Sequence, residues 1–315
     1  MLSRVAESLY WMARYMERAE DTARLINAVT LMSLDMPAGA EFGWDSLLKV
    51  AGLDQYFFDH YEEADESSVM RFLISDEKNP SSIMASITHA RENTRTFREV
   101  LPWESWEWVN ELYLYASKEL DGNLDRRIRH EVLQGIIRRR QSIVGLLVGT
   151  MSRDPALLFL SIGRNMERAD MTSRILDVSH ALILPSEASD DLLWMNILKA
   201  LSAYQMYRRH VSVHACSRRV IDFLLKDRSF PRTVAHCLSE ISRILTGLPD
   251  PEPVLAAVSK AIATLDSADG TALAKEGLHE FVDSMQSEMN SIHNALKSRY
   301  FSLSHPAEAS ETATQ

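Results

Sequence analysis

Apolar residues return every three or four positions along almost the whole chain, and nowhere do they alternate as a half-buried strand requires. Near the start, Met12, Met16, Ala19, Ala23 and Ile26 share one face of a helix. The 315 residues include only 11 glycines and 10 prolines, few for a turn-rich β fold. No hairpin signal is found. The pattern predicts an all-α protein, a bundle of long antiparallel helices.

The first helix is expected from a cap at Ser3 to about Met32, followed by shorter helices over 45–60 and 66–74. Another begins at Pro80 or Ser81, Pro102 breaks it, and helix resumes over 103–120 and then 124–149. In the linker GTMSRDP, Asp154 is a natural cap and Pro155 suits the first helical position of a helix running to about Ile183. Helices are expected near 188–208, 217–226, 231–246, 252–267 and 271–301, and the polar tail 302–315 is expected to be disordered.

The helix at 3–32 carries RYMERAEDTAR (14–24), and the helix after Pro155 carries RNMERADMTSR (164–174). Seven of the eleven positions are identical, and five of the six charged positions keep their sign; Asp21 becomes Met171. Glu17 follows Ser3 by fourteen residues and Glu167 follows Asp154 by thirteen, so both copies lie at nearly the same depth in their helices. This pattern predicts two pseudo-repeats, 1–150 and 151–301, packed as one body.

Three readings of the phrase stand side by side. On a helical wheel Arg14, Glu17, Arg18, Glu20 and Arg24 fan away from the apolar face, so the phrase can be a solvated surface. Exposed ion pairs contribute only ~0–1 kcal/mol, which gives no reason for one charge pattern to persist in both copies. The second reading is structural: the two helices cross at their motifs, and Glu17 and Glu167 pair with arginines, a buried arrangement whose disruption costs ~3–5 kcal/mol. The third is a site. Glu17, Glu20, Glu167 and Asp170 can hold a divalent cation, as carboxylates do in other helical bundles. Alternatively Arg14, Arg18, Arg24, Arg164, Arg168 and Arg174 can clamp a carboxylate or phosphate. Six arginines against four carboxylates favour the anion.

The formal net charge of −10 argues against a nucleic-acid binder, although arginines cluster in RRIRH (126–130) and RRR (138–140). Two cysteines, Cys216 and Cys237, make no disulfide framework and fit the cytoplasm. The N-terminus has charges where a signal peptide needs an apolar run. IVGLLVG (143–149) is far too short to span a bilayer, so no membrane role is expected.

MLSRVAESLYWMARYMERAEDTARLI, HARENTRTFREVL, FLSIGRNMERADMTSRILD and VIDFLLKDRSFPRTVAHCL together resemble the Alpha-E family, over residues 1 to about 300. The family's eponymous Glu-Arg motif would be Glu17-Arg18 and Glu167-Arg168. The resemblance implies a bacterial all-helical protein encoded beside, or fused to, a circularly permuted ATP-grasp ligase, and often near a transglutaminase-like protease. It implies a helper of a peptide-forming or peptide-modifying system. The sequence itself carries no Walker loop, nucleophile elbow or HExxH, so no cofactor and no catalytic residue is assigned.

Other candidates are weaker. His210, His214, Cys216, His236 and Cys237 are zinc-ligand types in too loose a pattern. WESWEWVNELYLY (103–115) can stack a ligand, although aromatic residues at helical spacing usually belong to a core. Arg91, Arg95 and Arg98 line one helix edge and either extend an anion site or pair with Glu92 and Glu99. Arg232 stands at a predicted helix start, and the resemblance adds it to the ligand-binding candidates.

Overall fold

The computed structural model describes residues 1–34, 43–122, 125–181 and 187–301, with 178–181 and 187–190 described by backbone alone. The described residues form helices and no strand. Helices α1 (Ser3–Leu34), α2 (Asp45–Ala51), α3 (Asp54–Phe58), α4 (Glu66–Ile74), α5 (Ile83–Thr96), α6 (Trp103–Glu119) and α7 (Arg126–Thr150) make the first half. The second half has α8 (Pro155–Ala181), α9 (Glu187–Ala200), α10 (Tyr204–His210), α11 (Ser217–Lys226), α12 (Val234–Leu245), α13 (Glu252–Asp266), α14 (Gly270–Leu273) and α15 (Leu278–Leu296), closed by a π turn at Lys297–Phe301. The predicted tail lies outside the described residues. No helix among the described residues is long and apolar enough to cross a membrane.

Several boundaries follow from local chemistry. Asp154 caps α8 by accepting from the Ala156 and Leu157 amides, with Pro155 at the first helical position. Ser82 caps α5 and Thr233 caps α12 through their side-chain oxygens. Three expected helices are each split, the 271–301 helix at Gly277, whose φ of 83° separates α14 from α15. The 45–60 helix stops at Gly52, whose φ of 66° closes α2 in a left-handed turn. The 188–208 helix stops near Ser202, which takes φ 55° without being a glycine.

Helices α1, α5, α6 and α7 pack in a ring, and α8, α12, α13 and α15 form a second ring of the same order. Within the rings, neighbours run antiparallel. Asn27 meets His130 and Glu20 meets Arg140 across α1–α7. Asp177 meets His279 and Phe159 meets Phe301 at the two ends of α8–α15. The rings share the α1–α8 contact, and there the order is parallel: Tyr10 lies against Gly163, Arg18 against Glu167, and Leu25 and Val29 line one space with Ile175. The antiparallel bundle thus contains a parallel contact where its two rings meet. A short loop turns α7 into α8, both α1 and α8 oppose α7, and so α1 and α8 must point the same way.

Candidate functional site

Helices α1 and α8 approach closely because position 163 is glycine. A Cβ there would stand 2.2 Å from the carbonyl oxygen of Tyr10. This contact puts the two Glu-Arg pairs opposite each other. Arg168 donates from Nε to Glu17 at 2.7 Å, and Arg18 donates from Nε to Glu167 at 2.6 Å. Each motif's glutamate thus receives the other motif's arginine.

The surroundings of the two glutamates differ. Glu17 also binds Arg140 from α7 and Arg232 from the turn before α12. Both arginines continue to Glu20, which Arg24 joins at 2.8 Å, and Arg232 also donates to Asp21. Glu17 and Glu20 are fully buried, as are Arg140 and Arg232 nearly so. Burial alone would push the Glu17 carboxyl up, but Arg140, Arg168 and Arg232 outweigh it and hold the group well below the usual carboxylate range. Asp21 goes the other way, up to about 7. Burial and the neighbouring charges of Glu17 and Glu20 exceed the pull of Arg232, and one carboxylate oxygen has no partner among the described residues.

Glu167 receives Arg14 and Arg18, each from Nε at 2.6 Å. Burial raises its pKa, and these two guanidinium groups overcome that and bring it down to about 2. Arg14 also donates to the Tyr10 hydroxyl, which lies 3.0 Å from Nδ1 of His293. One turn on, Asp170 takes Arg174 at 3.1 Å. A cavity of about 290 Å3 opens beside Glu167, with Arg14, Arg18, Asp170, Arg174 and Ser81 on its wall.

The loops that frame the two motifs also match. LLKVAG (47–52) and ILKALS (197–202) stand 150 residues apart, and both end on a left-handed residue, Gly52 and Ser202. Arg24 donates to the Ser202 hydroxyl at 2.6 Å, while Arg174 lies where a Cβ on Gly52 would be, 2.5 Å from Nη1. FLISDEKNPSS (72–82) and FLLKDRSFPRT (223–233) stand 151 apart, and each ends on the residue that caps the next helix, Ser82 and Thr233. In this frame Ser81 stands where Arg232 stands. Arg18 reaches the Ser81 hydroxyl at 3.4 Å, as Arg168 reaches the Pro231 carbonyl at 3.4 Å.

Several of the candidate residues thus come together: Arg14, Glu17, Arg18, Glu167 and Arg168 at the helix contact, Arg24 and Arg232 beside Glu20, and Arg174 beside Asp170. The wheel's solvated face is corrected, because α7 and the turn before α12 close over Glu17, Glu20 and Asp21. Arg164 sits apart. Its counterpart Arg14 binds Glu167, but Glu17 is already surrounded, and among the described residues Arg164 makes no ion pair and its buried Nε finds no partner. Burial and the like charges of Arg168 and Arg140 push it down to about 10.

Arg91 and Arg95 do not extend the site. Both pair with Glu92, and Arg91 also lies over Tyr113 at 4.5 Å. The four carboxylates considered as a metal set are held by arginines instead, and among the described residues no group of three or more His, Cys, Asp or Glu is arranged to hold an ion. The histidines and cysteines scatter: His214 is exposed, and Cys237 is buried in the core with its thiol pushed up to about 12 by burial. The aromatic run is divided, with Trp103 exposed and Trp106 against Arg91.

Sequence reasoning missed Arg140, Gly163 and Ser81. Arg140 was findable: it falls on the apolar stripe of Ile136, Ile143 and Leu147, where an unpaired arginine has no place. The paired loops were findable too, once the 150-residue spacing was carried beyond the charged phrase.

No curated protein and no solved structure matches the chain. A family model, described as a predicted alpha-helical domain with a conserved ER motif, matches residues 1–301; together with the helices and the two facing Glu-Arg pairs, this shows that the chain belongs to the Alpha-E family.

Proposed function

We propose that this protein is a non-catalytic binding subunit that serves a circularly permuted ATP-grasp ligase in a cytoplasmic, bacterial peptide-forming or peptide-modifying system. A transglutaminase-like protein is a further partner under this reading, and an anionic peptide or small anion is its ligand.

The supporting observation is the state of the carboxylates. Glu17, Glu20 and Glu167 each receive at least two guanidinium groups, and all three are held ionised. A carboxylate so engaged is a poor base and a poor nucleophile, and an arginine already occupies the place a metal would take. The cluster around Glu17 acts as an ionic core that sets the two rings against each other. The cluster around Glu167 keeps an open cavity and is the part suited to binding.

Affinity purification of the natural chain from its native cells, with mass spectrometry of what accompanies it, tests the reading. An ATP-grasp ligase is expected among the partners, at a recovery unaffected by ATP depletion. Its absence would remove the ligase from the proposal.

A further inference from the structure

The chain builds one niche twice and closes only one of them. At the first, the arm of Arg232 runs in from the turn before α12 and ends on Glu17, Glu20 and Asp21, with Arg140 beside it. At the second, Asp170 replaces Glu20 with its charge kept, and three further residues change and lose theirs. Ser81 stands in the place of Arg232, Met171 in the place of Asp21, and Met289 in the place of Arg140 when QSIVGLL (141–147) is set on NSIHNAL (290–296). Ser81, Met171 and Met289 all line the 290 Å3 cavity. The space is what the two missing guanidinium arms leave open.

We propose that this cavity is a binding site for a small guest carrying a carboxylate or phosphate oxyanion, with Arg174 and the Arg14–Arg18 pair as its cationic wall. The proposal rests on the reading of the protein as a binding body and names the ligand of that same site.

The charges select the guest's sign. The wall carries three arginines, Arg14, Arg18 and Arg174, against two carboxylates, Glu167 and Asp170. His293, on the same wall, is held towards its neutral form by burial and by the charges of Arg14 and Lys297. A guest in the position of the Arg232 head would need the acid that meets it, but Met171 replaces Asp21. A cation entering here finds no free carboxylate, since Glu167 already takes two arginines and Asp170 takes one. An oxyanion meets a wall with one positive charge in excess, in surroundings where charge-assisted hydrogen bonds are strong. Ser81 adds a hydroxyl just before the capped start of α5, where the helix end also favours negative charge. The volume lies near the lower limit of small-molecule pockets, about 300 Å3, and suits a guest of amino-acid or small-phosphoester size.

Calorimetric titration of the purified full chain tests this, with L-glutamate and inorganic phosphate as separate probes and agmatine as the cationic probe. Saturable one-to-one binding of glutamate or phosphate is expected, and which of the two binds tells a carboxylate guest from a phosphate one. The double variant Ser81→Arg, Met171→Asp copies the closed niche into the open one and should weaken binding roughly tenfold or more. Arg174→Gln should weaken it to a similar extent, and it decides the matter if the double variant does not fold. Arg95→Gln, an exposed change far from the cavity, should leave affinity unchanged. Failure of both anions to bind the natural chain, preference for agmatine, or undiminished binding by a folded Arg174→Gln variant would each overturn the site. None of these outcomes bears on the ligase, whose recovery from cells is measured independently.

Discussion

Arg168 donates to Glu17 across the α1–α8 contact, and the same bond recurs with roles exchanged, from Arg18 to Glu167. Around this exchange the molecule departs from symmetry. Glu17 gains Arg140 and Arg232; Glu167 gains Arg14 and keeps a cavity beside it. The differences between the two sides supply the tests below.

Glu17→Gln should destabilise the protein by ~3–5 kcal/mol, because it leaves the buried Arg140 and Arg232 and the partly buried Arg168 short of countercharge. Arg232→Met should cost a comparable amount, since Glu17, Glu20 and Asp21 all lose a partner. Urea unfolding followed by circular dichroism measures both. An exposed control such as Arg95→Gln should stay within ~0.5 kcal/mol of the natural chain. If Glu17→Gln behaved like the control, the ionic core would not be holding the rings together.

Arg14 and Arg164 occupy matching positions but should respond oppositely to substitution. Arg14→Met strands the buried Glu167 with one arginine fewer and should cost ~3 kcal/mol. Arg164→Met removes a cation that burial and two like charges disfavour, and should leave stability unchanged or raise it by ~1 kcal/mol. A loss of stability on Arg164→Met would show that this arginine has a partner in solution.

Stability should pass through a maximum in mildly acidic solution. The folded-state pKa of Asp21, about 7, lies above its ordinary value near 3.8, so the folded form takes up a proton first and stability rises as pH falls from about 7 toward 4. Glu17, Glu20 and Glu167 are depressed below the ordinary 4.5, so the stability they contribute is present above that value and is lost as pH falls further. Asp21→Asn should abolish the rise between pH 7 and 5 and leave the acid limb intact. A pH series of thermal melts separates the two limbs, and an unchanged upper limb in Asp21→Asn would assign it to another group.

Gly163→Ala should separate α1 from α8, because the added methyl would overlap the Tyr10 carbonyl, a backbone atom that cannot swing aside. A loss of ~2–3 kcal/mol is expected, since overpacking a tight contact also lengthens the Glu17–Arg168 and Arg18–Glu167 bonds. Gly145→Ala, with open space at its Cβ, serves as the helix-interior control and should be neutral or slightly stabilising.

The helices, the Asp154–Pro155 start of α8 and the 66–74 and 217–226 segments were all legible in the sequence. Each depends on short-range periodicity and on caps that act within one turn. The charged phrase was legible as a repeat for the same reason: its residues are contiguous. Its environment was not. A helical wheel divides α1 into an apolar and a charged face, but whether a charged face meets water depends on what packs over it. Here α7 brings Arg140, the turn before α12 brings Arg232, and α8 brings Arg168, from positions 120 to 212 residues away in sequence. The parallel course of α1 and α8, the approach that Gly163 permits and the cavity left by Ser81 and Met289 belong to the tertiary structure alone. They arise from contacts between segments far apart in the chain, where closure of the whole bundle, and no local preference, determines which side chains meet.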